Sequence, residues 1–332
     1  MQKFTALRTP EHKPLMSAFS LFALVGILCL LYAGGFTTSI KAGMAFTSWP
    51  LSNGSLNPEG WMDHPDQLAE HSHRLLGMLV GLLSLILFVW TWLREERAWM
   101  RWAAGALLGF IILQGLLGGA RVRFDQLVTQ AEHNRVAQTF AIIHACGAQL
   151  ILCLLVALAT AGSRSWIKHD AGLSEPAPLT IRRWGLITFG LIFLQLIAGA
   201  LMRHNDAGLA IPTFPLTPEG GLLPRVWSLP VALHFSHRIG ALLVTVALVI
   251  FVIKIARHPS TRRALGWDAL GLVALLSFQI LLGASVIWTT KHTHTTTLHV
   301  LVGALLLTAV WRASFITFRL PLEKPSACPQ TS

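Results

Sequence analysis

Apolar residues in this chain come in long unbroken runs rather than in strand-like alternation or one-sided helical stripes. Windows of about 18 to 23 residues, enough to cross the hydrocarbon layer as α-helix, fall at 15–36, 71–93, 102–121, 138–161, 184–203, 233–255, 267–289 and 297–318. The pattern predicts an all-α membrane protein with eight transmembrane helices. The first run follows Lys3, Arg8 and Lys13, exceeds a signal-peptide core and lacks a small-x-small cleavage site, so it reads as a retained span.

A repeat underlies the eight spans. Ala42-Gly43-Met44-Ala45-Phe46-Thr47-Ser48-Trp49-Pro50-Leu51 after the first span returns after the fifth as Ala207-Gly208-Leu209-Ala210-Ile211-Pro212-Thr213-Phe214-Pro215-Leu216, an offset of 165. Gln114-Gly-Leu-Leu-Gly118 and Gln279-Ile-Leu-Leu-Gly283 give 165 again. A unit with an even number of spans duplicates without inversion. The expected architecture is therefore two tandem four-helix bundles related by a pseudo-twofold along the membrane normal. The expected divisions are 1–161 for the first half, 162–183 for a cytoplasmic linker, 184–320 for the second half and 321–332 for a cytoplasmic tail.

Composition agrees with a polytopic protein: 53% hydrophobic and 12% charged residues with a mean hydropathy of +0.58 exclude a soluble domain. Seventeen of the 26 Lys and Arg residues lie in the tails and in the connections that follow even-numbered spans. That bias predicts cytoplasmic N- and C-termini in the cell's inner (cytoplasmic) membrane. The net charge of +11 is spread over separate segments with no aromatic-interleaved patch, so orientation and the anionic lipid bilayer explain it, and nucleic acid is not an expected partner. All 12 Trp residues fall near span ends, as an aromatic belt requires. Cys29, Cys146, Cys153 and Cys328 form neither an outer-loop pair nor a Cys-x-x-Cys, which argues against a structural disulfide or a zinc site.

The candidate chemistry is four histidines. Ser72-His73-Arg74 and Ser236-His237-Arg238 open matching spans, and His144 and His299 sit near the start of the spans two further on. Histidine inside a membrane helix is costly without a partner. All four lie within roughly two turns of the outer helix ends, at about 1.5 Å per residue. Two side chains at one level on parallel helices suit bis-histidine ligation of a flat macrocycle, with small residues where the ring meets backbone. Such residues follow each histidine: Gly77 and Gly81, Gly147 and Ala148, Gly240 and Ala241, and Gly303. Single hydrogen bonds to neighbouring helices would account for each histidine alone, whereas four-ligand zinc or copper would need donors that neither half supplies. Arg74 and Arg238 are candidates to pair with heme propionates or, alternatively, to snorkel to lipid phosphate. Glu70 precedes His73 by three residues and its counterpart is His234. A carboxylate there could act as acid, base or electrostatic stabiliser, or could merely complement a helix N-terminus. His71, without a repeat partner, reads as incidental, and the outer-loop histidines His64, His133, His204, His292 and His294 as solvated.

These residues resemble the heme A synthase family. The resemblance covers nearly all eight spans and is carried by Gly34-Gly35-Phe-Thr-Thr38, Ala42-Gly43-Met-Ala45, Trp49-Pro50, Glu70-His-Ser-His73-Arg74, Gly115-Leu-Leu-Gly118-Gly119-Ala-Arg121-Val122, His144-Ala, Ser236-His237-Arg238 and His299. It implies an oxidoreductase that converts the substrate heme O to heme A, oxidising a porphyrin methyl group to a formyl for terminal cytochrome oxidase. It further implies that His73 and His144 hold the substrate, that Glu70 assists the oxidation, and that His237 and His299 hold a heme b that passes electrons. Implied partners are heme O synthase, cytochrome oxidase assembly factors and an electron donor, with a homo-oligomer also open. Many Gram-positive members carry a cysteine pair in the first outer loop, whereas residues 42–69 here contain none. Two other classes share part of the pattern: a di-heme b-type quinol-oxidising cytochrome, which needs the same histidines, and a repeat-built transporter, to which Gln114, Gln149, Gln195 and Gln279 lend little support.

Overall fold

The computed structural model describes residues 11–125, 134–167 and 177–319. Among them no strand forms, and eight helices are long and apolar enough to cross a membrane. They are α1 (Pro14–Ser39), α2 (Pro65–Arg94), α3 (Ala98–Arg123), α4 (Arg135–Gly162), α5 (Leu179–His204), α6 (Leu229–Arg257), α7 (Pro259–Trp288) and α8 (Thr293–Thr317). The protein is a multi-pass, all-helical membrane protein. Lys3, Arg8, His133, Lys168, His169, Lys324, Cys328 and the 321–332 tail lie outside the described residues, as do residues 168–176 of the 162–183 linker, whose described part holds the end of α4, the single turn Arg164–Ile167 and the start of α5.

The helices outrun the apolar windows. At 25 to 30 residues each and about 1.5 Å per residue, they exceed a hydrocarbon layer of roughly 30 Å by about one to three turns. Proline at the first positions starts α1, α2, α6 and α7, where its missing N–H costs nothing. Asn134 and Ser228 cap α4 and α6 by accepting from the amides of Ala137 and Val231. Because α2 begins at Pro65, Glu70 lies inside the helix rather than at its terminus.

Within α1–α4 each helix packs on the next and α4 closes back on α1; α5–α8 close in the same way, with α8 on α5. Between the halves α1 meets α8, α4 meets α5 and α4 meets α8. These main contacts keep their pattern when α1–α4 are exchanged for α5–α8. More than half of the central stretch of α4 and of α8 is buried, against under a third for the other six, so these two form the inner posts. One apolar cluster fills the first half around Ile27, Leu83, Leu107, Leu152 and Leu155, and another fills the second around Leu248, Phe251, Leu265, Leu272 and Leu307. Exposed Leu82, Leu194, Leu242 and Trp267 face outward, as lipid contact allows, so close van der Waals packing inside supplies the association.

Two features tie the ends. Opposite the histidines, Arg97 pairs with Glu95 and donates to the Ala161 carbonyl (2.8 Å), fastening the α2–α3 turn to the end of α4. Burial opposes ionisation of Glu95, but hydrogen bonds from Arg97 outweigh it and hold the carboxyl below its ordinary value. On the histidine side, Lys41 and Asp206, 165 apart and both left-handed (φ 58 and 51), form an exposed ion pair between the halves.

Candidate functional site

His73, His144, His237 and His299 follow the first residues of α2, α4, α6 and α8 by 8, 9, 8 and 6 residues. That places all four within about one turn of the same depth, beneath the loops 40–64 and 205–228. His73 and His144 lie within electrostatic reach of each other, as do His237 and His299. The ring centroids of His237 and His299 are 6.4 Å apart, with an interplanar angle of 68°. Two metal–imidazole bonds of about 2.0 Å, with roughly 1.2 Å from each ligating nitrogen to its centroid, add up to about the same separation.

Each ring turns its Cε1 edge to a glycine on the preceding helix. A Cβ on Gly34 would stand 2.7 Å from His73, and the corresponding approaches are 3.4 Å for Gly118 and His144, 3.1 Å for Gly199 and His237, and 3.1 Å for Gly283 and His299. At Gly34 there is no room for a side chain. The backbone carbonyl one turn earlier then lies within reach of Nδ1: His144 donates to the Gln114 carbonyl (3.0 Å), and the carbonyls of Leu30 and Gln279 face His73 and His299, whose Nδ1 atoms otherwise have no partner. An imidazole that presents Nδ1–H to a carbonyl keeps Nε2 free as a metal ligand. His237 departs from this scheme. The Gln195 carboxamide nitrogen donates to the His237 carbonyl (2.7 Å) and stands 3.0 Å from its Nδ1.

The small residues that follow the histidines fall into two groups. Gly147, Gly240 and Gly303 receive the side chains of Gln114, Gln195 and Gln279, and nothing approaches Gly77 or Gly81 within 4 Å. The glycines that touch imidazole come from the facing helix, in Gln114-x-x-x-Gly118, Gln195-x-x-x-Gly199 and Gln279-x-x-x-Gly283. The fourth copy, Leu30-x-x-x-Gly34, carries leucine. The first and third of these motifs stand out in the sequence as repeat markers; what they touch follows only from the pairing of helices.

Above the histidines, each loop is held down by an arginine. Arg74 donates to the carbonyls of Ser48 (2.7 Å) and Phe46 (3.2 Å) and to Glu70 Oε1 (2.5 Å), and Glu70 Oε2 accepts from the Phe46 amide (3.0 Å). In the second half Arg238 donates to the carbonyls of Ile211 (3.1 Å) and Thr213, and His234 Nδ1 accepts from the Ile211 amide (3.2 Å). Both guanidinium groups, the candidates for propionate or lipid contact, bond to carbonyls of the loops that return over them. His71, which the sequence marks as incidental, is buried, with Nδ1 on Ser52 Oγ (2.9 Å) and Nε2 on the Leu56 carbonyl (3.1 Å). It anchors the first loop. His204 belongs to α5, and His294 bonds to Tyr32 (2.8 Å), so neither is merely solvated.

Among the described residues, no three His, Cys, Asp or Glu side chains converge on a point that could hold a metal ion. The donor set is two imidazoles per half, facing across a gap and backed by glycine, which fits an iron porphyrin that already fills four positions itself. The family model described as cytochrome oxidase assembly protein, COX15-CtaA, matches residues 62–311, a stretch that includes all four histidines. The chain belongs to the COX15-CtaA family. It is also similar to the heme A synthase of Symbiobacterium thermophilum, 31% identical over 78% of this chain and 81% of the relative. The heme A synthases of Halalkalibacterium halodurans and Alkalihalophilus pseudofirmus are each 28% identical, covering 89% and 93% of this chain and 94% and 99% of theirs.

The COX15-CtaA match begins after α1 and most of the first loop, so Gly34 and Trp49 belong to the site by contact alone. Trp49 lies on Gly119 of α3, where a Cβ would meet its ring at 2.5 Å. We expect Gly119→Val to lift Trp49 and open the loop at a cost of about 1–3 kcal/mol, as overpacking does. Limited proteolysis from the loop side checks this; an unchanged cleavage rate between residues 42 and 62 would count against the contact.

Proposed function

We propose that this protein is a heme A synthase that oxidises a methyl group of heme O to a formyl, with the substrate between His73 and His144 and a resident heme b between His237 and His299. Heme iron, once bound, supplies one-electron and oxygen chemistry. The observation that carries the reading is the set of four glycine-backed imidazoles at one depth in a chain of the COX15-CtaA family. The tandem duplication, with a pseudo-twofold along the membrane normal, is part of the same proposal, and matching contacts 165 residues apart support it. So are the divisions at 1–161, 162–183 and 184–320, the inner membrane, the cytoplasmic termini, and partnership with heme O synthase, oxidase assembly factors and an electron donor.

The residues divide the work. His73 and His144 hold and orient the substrate through Nε2, with Nδ1 turned to backbone. Glu70 and Arg74 clamp the loop 46–51 above them, excluding water and keeping a carboxylate near the reacting edge, where it can take a proton or stabilise developing positive charge. Gln195 adds a side-chain partner to His237 that His73 lacks, since position 30 is leucine. A side chain held against the ring fixes its orientation, which suits a permanent occupant in the second half and an exchangeable one in the first.

Pigment extraction from the purified protein tests the assignment. Cells without heme O should yield heme b alone, and cells making heme O should add heme O and heme A. Heme b alone under both supplies would rule out the synthase reading.

A further inference from the structure

With Arg74 committed to Glu70 and the loop carbonyls, the first site still needs a cation for the carboxylate side chains that every natural heme carries. Arg121, at the loop-side end of α3, makes no hydrogen bond or ion pair among the described residues. Its guanidinium lies flat against Gly43, where a Cβ would stand 2.8 Å from Nη2 and 3.0 Å from Nη1. It is within electrostatic reach of both His73 and His144. Arg203 of the second half joins it there, reaching across the seam to donate through Nη2 to the Gly35 carbonyl and Ser39 Oγ, both at 2.7 Å. No other donor of Arg203 has a partner among the described residues. The acids in range of Arg121 are Asp125, four residues further along the chain, and Glu70, which Arg74 already neutralises. Two half-buried guanidinium groups in electrostatic reach of each other repel, and an anion between them relieves that repulsion. The second half differs here, since Val286 stands at the position matching Arg121 and the methylenes of Lys291 cover Gly208 at 3.6 Å.

We propose that Arg121, with Arg203 beside it, is the receptor for the propionate carboxylates of the tetrapyrrole held between His73 and His144. This rests on reading that histidine pair as a tetrapyrrole site. Planar guanidinium groups bind carboxylate through paired N–H donors, and their place on the loop side of the imidazoles sets which edge of the macrocycle points toward the loops. The opposite edge then faces the membrane interior, so Arg121 fixes the orientation of the substrate as well as its affinity.

The test is a spectral titration of the full-length, detergent-purified protein carrying its resident heme, using ferric protoporphyrin IX and, separately, its dimethyl ester, which has no free carboxylate. Wild type should bind the diacid about tenfold or more tightly than the diester, the scale of one charge-assisted hydrogen bond. Arg121→Leu should bring that ratio close to one while leaving diester affinity and the bis-imidazole spectrum unchanged, and Arg121→Lys should restore part of the preference. A wild-type ratio in Arg121→Leu overturns the proposal. So does an equal loss of both pigments in Arg121→Leu and Arg121→Lys, which would make Arg121 a packing residue. If His144→Ala titrates like wild type with both pigments, the tetrapyrrole site itself is wrong, and the arginine assignment falls with it.

Discussion

Protein purified from cells that lack heme O should lose its pigment when His237 or His299 is replaced by alanine and keep it when His73 or His144 is replaced. The second pair is set for a permanent occupant: its ring centroids stand 6.4 Å apart, and Gln195 holds a side chain against His237 where His73 has leucine at the matching position. Removing one imidazole would leave a single histidine to hold the iron. Outer-shell losses alone weaken metal sites by 10- to 100-fold, so loss of a ligand should lower heme occupancy by at least about tenfold. The low-spin bis-imidazole absorption, quantified per chain, is the readout. In cells making heme O, His73→Ala and His144→Ala should retain heme b and make no heme A. The opposite pattern, with pigment lost on His73→Ala and retained on His237→Ala, would reverse the roles of the halves.

Replacing Glu70 should separate binding from chemistry. Glu70→Ala is expected to retain heme b and bound heme O but to lower heme A formation by about a hundredfold or more, the contribution typical of a positioned acid or base. The buried pair with Arg74 complicates this test, since removing one partner of such a pair costs about 3–5 kcal/mol and can loosen the loop. Glu70→Gln resolves the two effects because its carbonyl oxygen can still accept from Phe46. The glutamine variant should keep the loop as resistant to protease as wild type and yet lose product nearly as fully as alanine. Heme A at close to wild-type levels in either variant would remove Glu70 from the chemistry and leave it as a loop clamp.

The spans are legible in the sequence because an unbroken apolar run of membrane length is too long for a core strand or a half-buried helix, and the histidines because polar groups stand out against it. Helix starts are not. α2 begins with Pro65-Asp66-Gln67 and α7 with Pro259-Ser260-Thr261-Arg262-Arg263, polar turns that stay helical beyond the lipid and escape a hydropathy window. The glycines behind the rings are hidden for a different reason. Which small residue meets a ring depends on helix pairing, and Gly34 sits 39 positions before the histidine it supports. The loop contacts of Arg74 and Arg238 are hidden too, because the carbonyls they bond belong to loops whose return path is tertiary. Arg121 stands in plain view within Gly118-Gly119-Ala120-Arg121-Val122, yet nothing in one half of a repeat marks a residue as special until its counterpart, Val286, is set beside it.

The two inner posts have a mechanical consequence. α4 carries His144, α8 carries His299, and these helices pack on each other, so each proposed iron site takes one ligand from a shared wall and the other from α2 or α6 at the lipid boundary. Moving the wall would disturb both sites at once. Swinging α2 outward would disturb one, so an oily tetrapyrrole could be traded with the bilayer through the first half while the second stays sealed.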